Sequence, residues 1–243
     1  MPEGPSIVIL KEELAPFSGK KVLTVAGTEK SFDLQLLKNK TTHFRTWGKH
    51  FLICFPKFTV RVHLLLFGSY LINDRKKAKP RLHLRFRNGE VNFYAGSVQL
   101  LTSPLDEIYD WSADLLNDAW APRKASQKLK NMPRALLCDA LLDQDIFAGA
   151  GNIFKNEVPW RVRAHPSSSV GALPARKRSE LVKAMHDFAF DFLAWKKAGV
   201  LKQHLNVHTK TECPRCKIPL EKSYMGKGKR RTYHCNNCQR KYT

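Results

Sequence analysis

The chain has 243 residues, enough for one large or two modest domains with hydrophobic cores. Its 42 Lys and Arg residues against 21 Asp and Glu residues give a formal net charge of +21 and a pI of about 9.9. This balance favours nucleic acid over an anionic membrane as the partner, because no apolar run approaches the roughly 18 residues that a membrane span needs. Six cysteines in a chain of this size do not fit a secreted disulfide framework, and we find no targeting signal, so we expect a cytoplasmic protein.

The first residues, MPEGPSIVIL, carry a candidate nucleophile. Removal of Met1 leaves a secondary amine on Pro2, and α-amino groups have pKa values of roughly 7.7–8.0, so a fraction is neutral at physiological pH. Such an amine can attack an aldehyde-like carbon to form a Schiff base, and Glu3 is close enough in sequence to transfer protons. Two alternatives stay open: the segment is a surface arm, or Met1 is retained and blocks the amine.

Short apolar segments separated by turn signals extend from Ser18 to about Leu101 and predict an antiparallel β-sandwich. The tetrapeptides FPKF and RNGE lie where hairpin turns are expected. One helix, from about Ile7 to Ala15, is predicted to precede the strands.

Helical spacing of apolar residues marks the second half of the chain, in SQKLKNMPRALLCDALLDQ and RKRSELVKAMHDFAFDFLAWKKAG. Between them, AGAGN follows a helix predicted to end near Phe147, and a new helix is predicted to begin at Ile153 with Asn152 as its N-cap. Gly149 and Gly151 permit unusual φ values and close approach of another chain. The positive end of the new helix would then bind an anion, a DNA phosphate in a protein this basic, unless the segment is an ordinary corner between helices.

Two CxxC pairs near the end of the sequence, CPRC and CNNC, are separated by 18 residues. Two such pairs present the four thiolates of a tetrahedral Zn²⁺ site, and four protein ligands leave no position for a catalytic water. The sequence therefore predicts one structural Zn²⁺, bound by Cys213, Cys216, Cys235 and Cys238. The basic insert KSYMGKGKRRTYH predicts a β-hairpin with a Gly-Lys-Gly tip that grips a phosphate backbone.

Taken in order, PEGP, LLDQ, AGAGNI, NEVPWRVRAHP and the paired CxxC motifs resemble the formamidopyrimidine-DNA glycosylase/endonuclease VIII family from residue 2 to residue 240. The resemblance implies an α+β protein with an N-terminal antiparallel β-sandwich and an opening helix (1–112), a helix-two-turn-helix domain (113–208) and a β-hairpin zinc finger (209–243). It implies a DNA glycosylase and AP lyase of base excision repair that acts as a monomer on damaged double-stranded DNA. We expect such a protein in the bacterial cytoplasm, associated with the nucleoid.

The resemblance also implies catalytic roles. Pro2 matches the nucleophile that attacks C1′ of a damaged nucleotide, and Glu3 matches the acid/base carboxylate. Loss of the base leaves an iminium, and β,δ-elimination then breaks the strand on both sides of the lost nucleoside. In WGKHFLICF, Lys49 matches a lysine that reaches the sugar-phosphate, although by itself it is more typical of a solvated turn.

Chemistry at C1′ requires the nucleotide to be flipped out of the stack, which leaves a gap. In VHLLLFGSY, the residues Leu65, Leu66 and Phe67 occupy the loop from which the family inserts side chains, with Leu66 the strongest candidate and Phe67 stacking on the neighbouring base. The alternative for all three is strand core.

Three further residues match phosphate-binding positions of the family. Asn152 matches the turn asparagine, and Arg230, in RRTYHCNNCQ, matches the arginine of the finger strand, with Arg231 as an immediate rival. His208 roughly matches a residue just ahead of the finger.

The chain departs from the family pattern at two places. Ser6 stands where members commonly carry a second glutamate, which puts the efficiency of the lyase steps in doubt. The segment YAGSVQLL lacks the Arg and Phe of the formamidopyrimidine-type loop, which favours the endonuclease VIII branch and oxidised pyrimidines over oxidised purines. A catalytically silent damaged-DNA-binding protein is the main alternative, and a zinc-ribbon transcription factor would explain the finger but not the N-terminus.

Overall fold

The structure, a computed structural model, describes residues 2–243, so the predicted removal of Met1 lies outside the described residues. Two compact units make up the chain, one extending to Asp110 and the other comprising Trp111–Thr243. The cysteine-rich segment belongs to the second unit. The division into three domains at residues 112 and 208 stays a prediction.

The first unit begins with α1 (Gly4–Glu13), and antiparallel strands follow. The strands are β1 (Thr24–Ala26), β2 (His43–Trp47), β3 (His50–Cys54), β4 (Thr59–His63), β5 (Ser69–Ile72), β6 (Leu82–Phe86), β7 (Gly89–Tyr94) and β8 (Ser97–Leu101). They pair in two sheets, ordered β1-β6-β7-β5 and β2-β3-β4-β8, and a short helix, α2 (Leu105–Ile108), follows. The predicted sandwich with an opening helix is confirmed, and the turns at FPKF and RNGE join β3 to β4 and β6 to β7.

One apolar core fills the first unit, because successive side chains of a strand point to opposite faces. Inward residues of both sheets are almost completely buried, among them Phe51, Ile53, Val60, Val62, Leu82, Leu84, Val91 and Phe93. α1 contributes Ile7, Leu10 and Leu14 at helical spacing. The helix begins at Gly4, earlier than predicted, because Pro5 has the fixed φ and missing N–H that suit a first helical turn.

The second unit is helical, with one β-hairpin. Its helices are α3 (Pro122–Lys130), α4 (Leu137–Ala140), α5 (Asn152–Arg161), α6 (Ala175–Lys197) and α7 (Leu201–His204), and the hairpin consists of β9 (Glu221–Met225) and β10 (Arg230–His234). Phe154 of α5 packs edge-to-face on Phe188 of α6, with ring centroids 4.9 Å apart. Within residues 2–243, no helix has the length and apolar character needed to cross a bilayer.

The prediction that a helix continues to near Phe147 is wrong, since α4 ends at Ala140. Asp143 Oδ1 accepts the N–H of Asp145 at 2.9 Å, a local bond that competes with helix continuation. The carbonyl of Asp143 accepts the N–H of Phe147 at 2.8 Å, and the carbonyl of Phe147 accepts that of Ala150 at 3.0 Å. Two successive turns therefore lead into α5, which is the expected helix-two-turn-helix arrangement.

Candidate active site and nucleic-acid interface

The start of α1 places a carboxyl group inside the protein directly after Pro2. Glu3 is the N-cap residue, with extended backbone (φ −115°, ψ 172°), and is 1% exposed. The N–H of Ser6 donates to the Glu3 carbonyl at 2.8 Å and closes the first helical turn. Pro2 itself is half-buried, so this segment is not an exposed surface arm.

Lys49 lies in a two-residue turn that joins β2 to β3. The last cross-strand pair is Trp47 with His50, and Gly48 has φ 53°. A positive φ at the first central position is the geometry of a type II′ turn, where glycine is favoured. Trp47 is buried and its Nε1 donates to the Asp110 carbonyl at 3.0 Å, so the base of the turn is fixed. α1 packs against both strands of this hairpin.

Two histidines and an arginine lie beside Lys49 on β3 and β4, and sequence reasoning missed them. The available signal was the alternation of Arg61 and His63 with buried valines along β4. Burial and the positive charge of Arg61 lower the pKa of His50 to about 3, with His63 and Lys49 contributing. Burial, Lys49 and Arg61 also lower the pKa of His63. Both imidazoles are therefore neutral at physiological pH, while Lys49 and Arg61 carry the positive charge of this surface.

The segment predicted to fill the gap, here termed the wedge loop (Leu65–Phe67), connects β4 to β5. Leu65 is 45% exposed, Leu66 59% and Phe67 86%, whereas the preceding Leu64 is 3% exposed. The N–H of Gly68 donates to the Leu64 carbonyl at 2.7 Å, and a Cβ on Gly68 would approach that oxygen to 2.0 Å. The loop is a tight turn with three apolar side chains in solvent, so the strand-core alternative is wrong.

The link between β7 and β8 consists of Ala95 and Gly96 alone. It carries the chain from one sheet to the other, since β7 pairs with β5 and β6 while β8 pairs with β4. A Cβ on Gly96 would lie 2.9 Å from the His63 carbonyl, so the link passes close to β4. With two residues, the link contains no inserted loop of basic and aromatic residues.

The start of α5 differs from the prediction in one detail. Gly151 is the N-cap, with φ −136° and ψ −153°, and Asn152 is the first helical residue rather than the cap. The side chain of Asn152 turns to the hairpin, where its Nδ2 donates to the Arg231 carbonyl at 3.2 Å. Its Oδ1 is buried and has no hydrogen-bond partner among residues 2–243. Gly149 has φ 97°, which glycine accommodates without strain.

The two residues in the middle of α5, Asn156 and Glu157, hold the segment that contains His208. Both are almost fully buried. The Glu157 carboxylate accepts the N–H groups of Asn206 at 2.9 Å, Val207 at 2.9 Å and His208 at 2.7 Å. Asn156 Nδ2 lies 2.7 Å from His208 Nδ1, so the position of His208 is set by α5. The motif NEVPW contains these residues, but only the fold reveals their partners.

Arg230 and Arg231 leave β10 on opposite faces, because side chains alternate along a strand. Arg231 is paired across the hairpin with Tyr224, and its guanidinium donates to Tyr224 Oη at 3.4 Å. Arg230 shares its face with Thr232, whose hydroxyl accepts a hydrogen bond from Lys155 of α5 at 2.8 Å. Arg230 is therefore the arginine on the α5 side.

The four cysteines predicted as ligands come together. Their Sγ atoms all lie within 4.8 Å of one another, and those of Cys213 and Cys238 are 3.8 Å apart. Tetrahedral Zn²⁺ with bonds of about 2.3 Å separates its sulfurs by about 3.8 Å. Trp160 Nε1 donates to Cys213 Sγ at 3.4 Å, a bond that orients this sulfur.

Burial and hydrogen bonds shift the pKa values of these cysteines in opposite directions. Burial and the neighbouring cysteine sulfurs raise the pKa of Cys238 to about 12. Burial acts in the same direction on Cys213, but hydrogen bonds from Trp160 and from the backbone of Cys216 and Arg215 outweigh it and lower its pKa to about 6. The four cysteines could hold a metal ion as thiolates, and a donor set of four sulfurs is one that zinc favours.

Relatives match the chain over most of its length, although no family model matches it. Mouse Endonuclease 8-like 3 is 30% identical over 209 residues, 80% of this chain and 34% of the relative. Human Endonuclease 8-like 2 is 31% identical over 195 residues, 74% and 57% of the two chains. Formamidopyrimidine-DNA glycosylase of Chloroflexus aurantiacus is 27% identical over 210 residues, which are 75% of this chain and 73% of the relative. The chain thus spans about a third of the length of the Endonuclease 8-like 3 proteins.

Solved structures share the fold. A viral DNA glycosylase has a TM-score of 0.85 at 19% identity, with 98% of this chain and 100% of that chain covered. A second structure is Lactococcus lactis formamidopyrimidine-DNA glycosylase non-covalently bound to DNA with an AP site. Its TM-score is 0.84 at 22% identity, with 98% of this chain and 100% of that chain covered. The named relatives and the shared fold together support the formamidopyrimidine-DNA glycosylase/endonuclease VIII family for this chain.

Among the departures from the family pattern, Ser6 has the clearest position. It lies on the first turn of α1, half-buried, three residues after Glu3. A serine hydroxyl does not ionise near neutral pH, whereas a glutamate carboxyl does. Among the side chains of residues 2–6, Glu3 is therefore the one that carries a carboxyl group.

Proposed function

We propose that the chain is a bifunctional DNA glycosylase/AP lyase that removes oxidised bases from damaged DNA. The observation that carries the proposal is the start of α1, where a carboxyl group 1% exposed directly follows Pro2. Relatives in the family and the basic charge of +21 support it. The proposal includes action as a monomer.

In the proposed reaction, the Pro2 amine attacks C1′ of the flipped nucleotide. The bond between C1′ and the base breaks, and the base leaves with the electron pair. The attached nitrogen loses its proton, and its lone pair then breaks the C1′–O4′ bond, so that O4′ takes up a proton and the iminium forms. Removal of a proton from C2′ then expels the 3′ phosphate, and a second elimination expels the 5′ phosphate. Glu3 takes up and returns the protons of these steps, since it is the carboxyl group nearest to Pro2 in sequence.

Lys49 is proposed to hold the sugar-phosphate of the reacting nucleotide. Arg61 adds a second positive charge, and the neutral rings of His50 and His63 can form hydrogen bonds with a phosphate without the cost of burying charge. The type II′ turn fixes the Lys49 backbone, so the ammonium group needs little reordering when DNA binds.

Asn152, Arg230 and His208 are proposed to bind phosphates next to the lesion. Asn152 opens α5, where the helix dipole favours an anion, and Arg230 extends from β10 on the same side. Cys213, Cys216, Cys235 and Cys238 would hold one structural Zn²⁺. When bound, the ion keeps the segment around β9 and β10 folded and takes no part in the reaction.

We infer a preference for oxidised pyrimidines such as thymine glycol. The wedge loop gathers three apolar side chains, and the two-residue link at Ala95 leaves no second insertion loop, which is the pattern of the endonuclease VIII branch. Relatives that carry the name Endonuclease 8-like support this branch.

Borohydride trapping tests the proposal. Protein and an oligonucleotide with an abasic or thymine glycol site, mixed with borohydride, should give a covalent adduct that Pro2→Gly weakens severely. A matched oligonucleotide without the lesion should give none. The alternative is a damaged-DNA-binding protein that is catalytically weak or silent, which Ser6 in place of the usual glutamate favours. Tight binding to the lesion without any adduct would establish that alternative.

A further inference from the structure

α5 carries a buried lysine that no step of the proposed reaction uses. Lys155 is 1% exposed. Its Nζ donates to the carbonyls of Arg230 at 3.2 Å and Arg231 at 3.0 Å, and to Thr232 Oγ1 at 2.8 Å. An ammonium group has three donors, and all three bond to β10.

One of these bonds shares its acceptor with a phosphate-binding candidate. The carbonyl of Arg231 accepts from Lys155 and also from Asn152 Nδ2 at 3.2 Å. The first turn of α5 and the backbone of Arg230 are thereby joined through a few fixed bonds. Hydrogen bonds from an ammonium to carbonyls are charge-assisted and stronger than neutral ones.

We propose that Lys155 is a positioning residue for phosphate binding: by holding the backbone of Arg230 and Arg231, it keeps the Arg230 side chain and the start of α5 as one phosphate-binding surface. The inference rests on the proposed DNA-binding function and deepens it. Lys155 itself reaches no DNA, since its three donors are occupied and its side chain is buried.

The hairpin has other attachments, so loss of Lys155 should move Arg230 without detaching β9 and β10. At the hairpin tip, the N–H of Lys227 donates to Asp139 Oδ1 at 2.9 Å. At the other end, the N–H of Tyr233 donates to Asn156 Oδ1 at 3.1 Å. The cysteine cluster lies beyond Tyr233 and makes no bond to Lys155.

A pH dependence accompanies this role. Burial lowers the pKa of Lys155 to about 8; the positive charge of Arg230 acts in the same direction, and Cys138 and Asp139 of α4 oppose it. Burial and Lys155 lower the pKa of the nearby His208 to about 4, and burial and Asp139 raise that of Cys138 to about 11. Lys155 is thus the group here that titrates near pH 8, and above that pH a neutral amine loses one donor and its charge.

The experiment compares wild type with Lys155→Met, Lys155→Arg and the control Lys177→Met. Lys177 also donates to a backbone carbonyl, that of Val162 at 2.8 Å, but on α6. Binding to a duplex with an abasic-site analogue is measured against salt concentration at about pH 7, and then at fixed salt from about pH 7 to about pH 9.5. Bound zinc is measured for every variant.

We expect Lys155→Met to keep its zinc and to bind the duplex about tenfold more weakly than wild type. The slope of log K against log salt concentration should become shallower by about one, as for the loss of one phosphate contact. Wild-type binding should weaken as the pH rises through about 8, and Lys155→Arg, which stays charged, should retain binding there. Lys177→Met should behave as wild type.

Two results would overturn the inference. One is a salt dependence of duplex binding in Lys155→Met that equals that of wild type; the other is a loss of binding above about pH 8 in Lys155→Arg that is identical to that of wild type. If Lys155→Met does not fold, the pH profile of Lys155→Arg decides alone. Failure of wild type to bind the duplex would instead count against the proposed function, so the two failures are distinguishable.

Discussion

Truncation of Leu66 distinguishes two roles for this side chain: a wedge inserted into DNA, or part of the protein core. Leu66 is 59% exposed, while its neighbour Leu64 is 3% exposed and belongs to the core of the first unit. Complete burial of a leucine side chain contributes about 1.5–3 kcal/mol, so truncation of one that is more than half exposed should cost about 1 kcal/mol or less. Leu64→Ala, a core truncation in the same segment, should cost about 2–5 kcal/mol.

The effect on activity should depend on the substrate. Flipping a nucleotide out of a duplex costs a few kcal/mol, and least where the base is already unpaired. If Leu66 fills the gap and recovers about 1.5–3 kcal/mol of this cost, Leu66→Ala should slow excision from duplex DNA about 10- to 100-fold. Single-stranded DNA has no stack to fill, so excision from it should change little.

The assay measures single-turnover excision of one lesion from matched duplex and single-stranded oligonucleotides, alongside thermal unfolding of both variants. Leu66→Ala should show a duplex-specific loss and almost no change in Tm. Leu64→Ala should lower the Tm and, where it is still folded, affect both substrates equally. An equal loss on both substrates in Leu66→Ala would refute the assignment of Leu66 as the wedge.

Two other predictions concern the second unit. Cys235→Ser should lose the bound metal and most DNA affinity while the first unit, with its own core, stays folded; full binding by metal-free protein would contradict this. Glu157→Gln should lower the free energy of unfolding by about 1–3 kcal/mol, because an amide cannot accept as many of the three N–H groups that the buried carboxylate accepts. Glu180→Gln, at an exposed ion pair, is the control and should cost about 1 kcal/mol or less. Equal effects in a denaturation experiment would show that the Glu157 bonds add no stability.

Local signals predicted much of the fold. The hairpins at FPKF and RNGE follow from turn chemistry between β-branched and aromatic segments, and both are present. The cysteine cluster follows from spacing, since two CxxC pairs in one chain have few other uses than a shared ion. The helix boundary at α4 was not predicted, because turns such as the one in which Asp143 Oδ1 accepts the N–H of Asp145 follow Ala140 although the apolar periodicity continues.

Tertiary partners could not be predicted from the sequence. Lys155 bonds to residues of β10, and Glu157 to backbone groups near His208, about 50 to 77 positions away, and no local pattern encodes such pairs. The wedge loop shows the same limit, because three apolar residues after a strand have the composition of core. Only the folded backbone, with Leu65 at φ 54° and the tight turn at Gly68, turns them outward.

The central claim is that the amine of Pro2 forms the covalent bond to DNA. The most direct measurement is mass mapping of the borohydride-reduced adduct after digestion of protein and DNA. We expect the sugar remnant on the N-terminal peptide, at the nitrogen of Pro2, in protein from which Met1 has been removed. A remnant on Lys49 or on any other lysine would contradict the account.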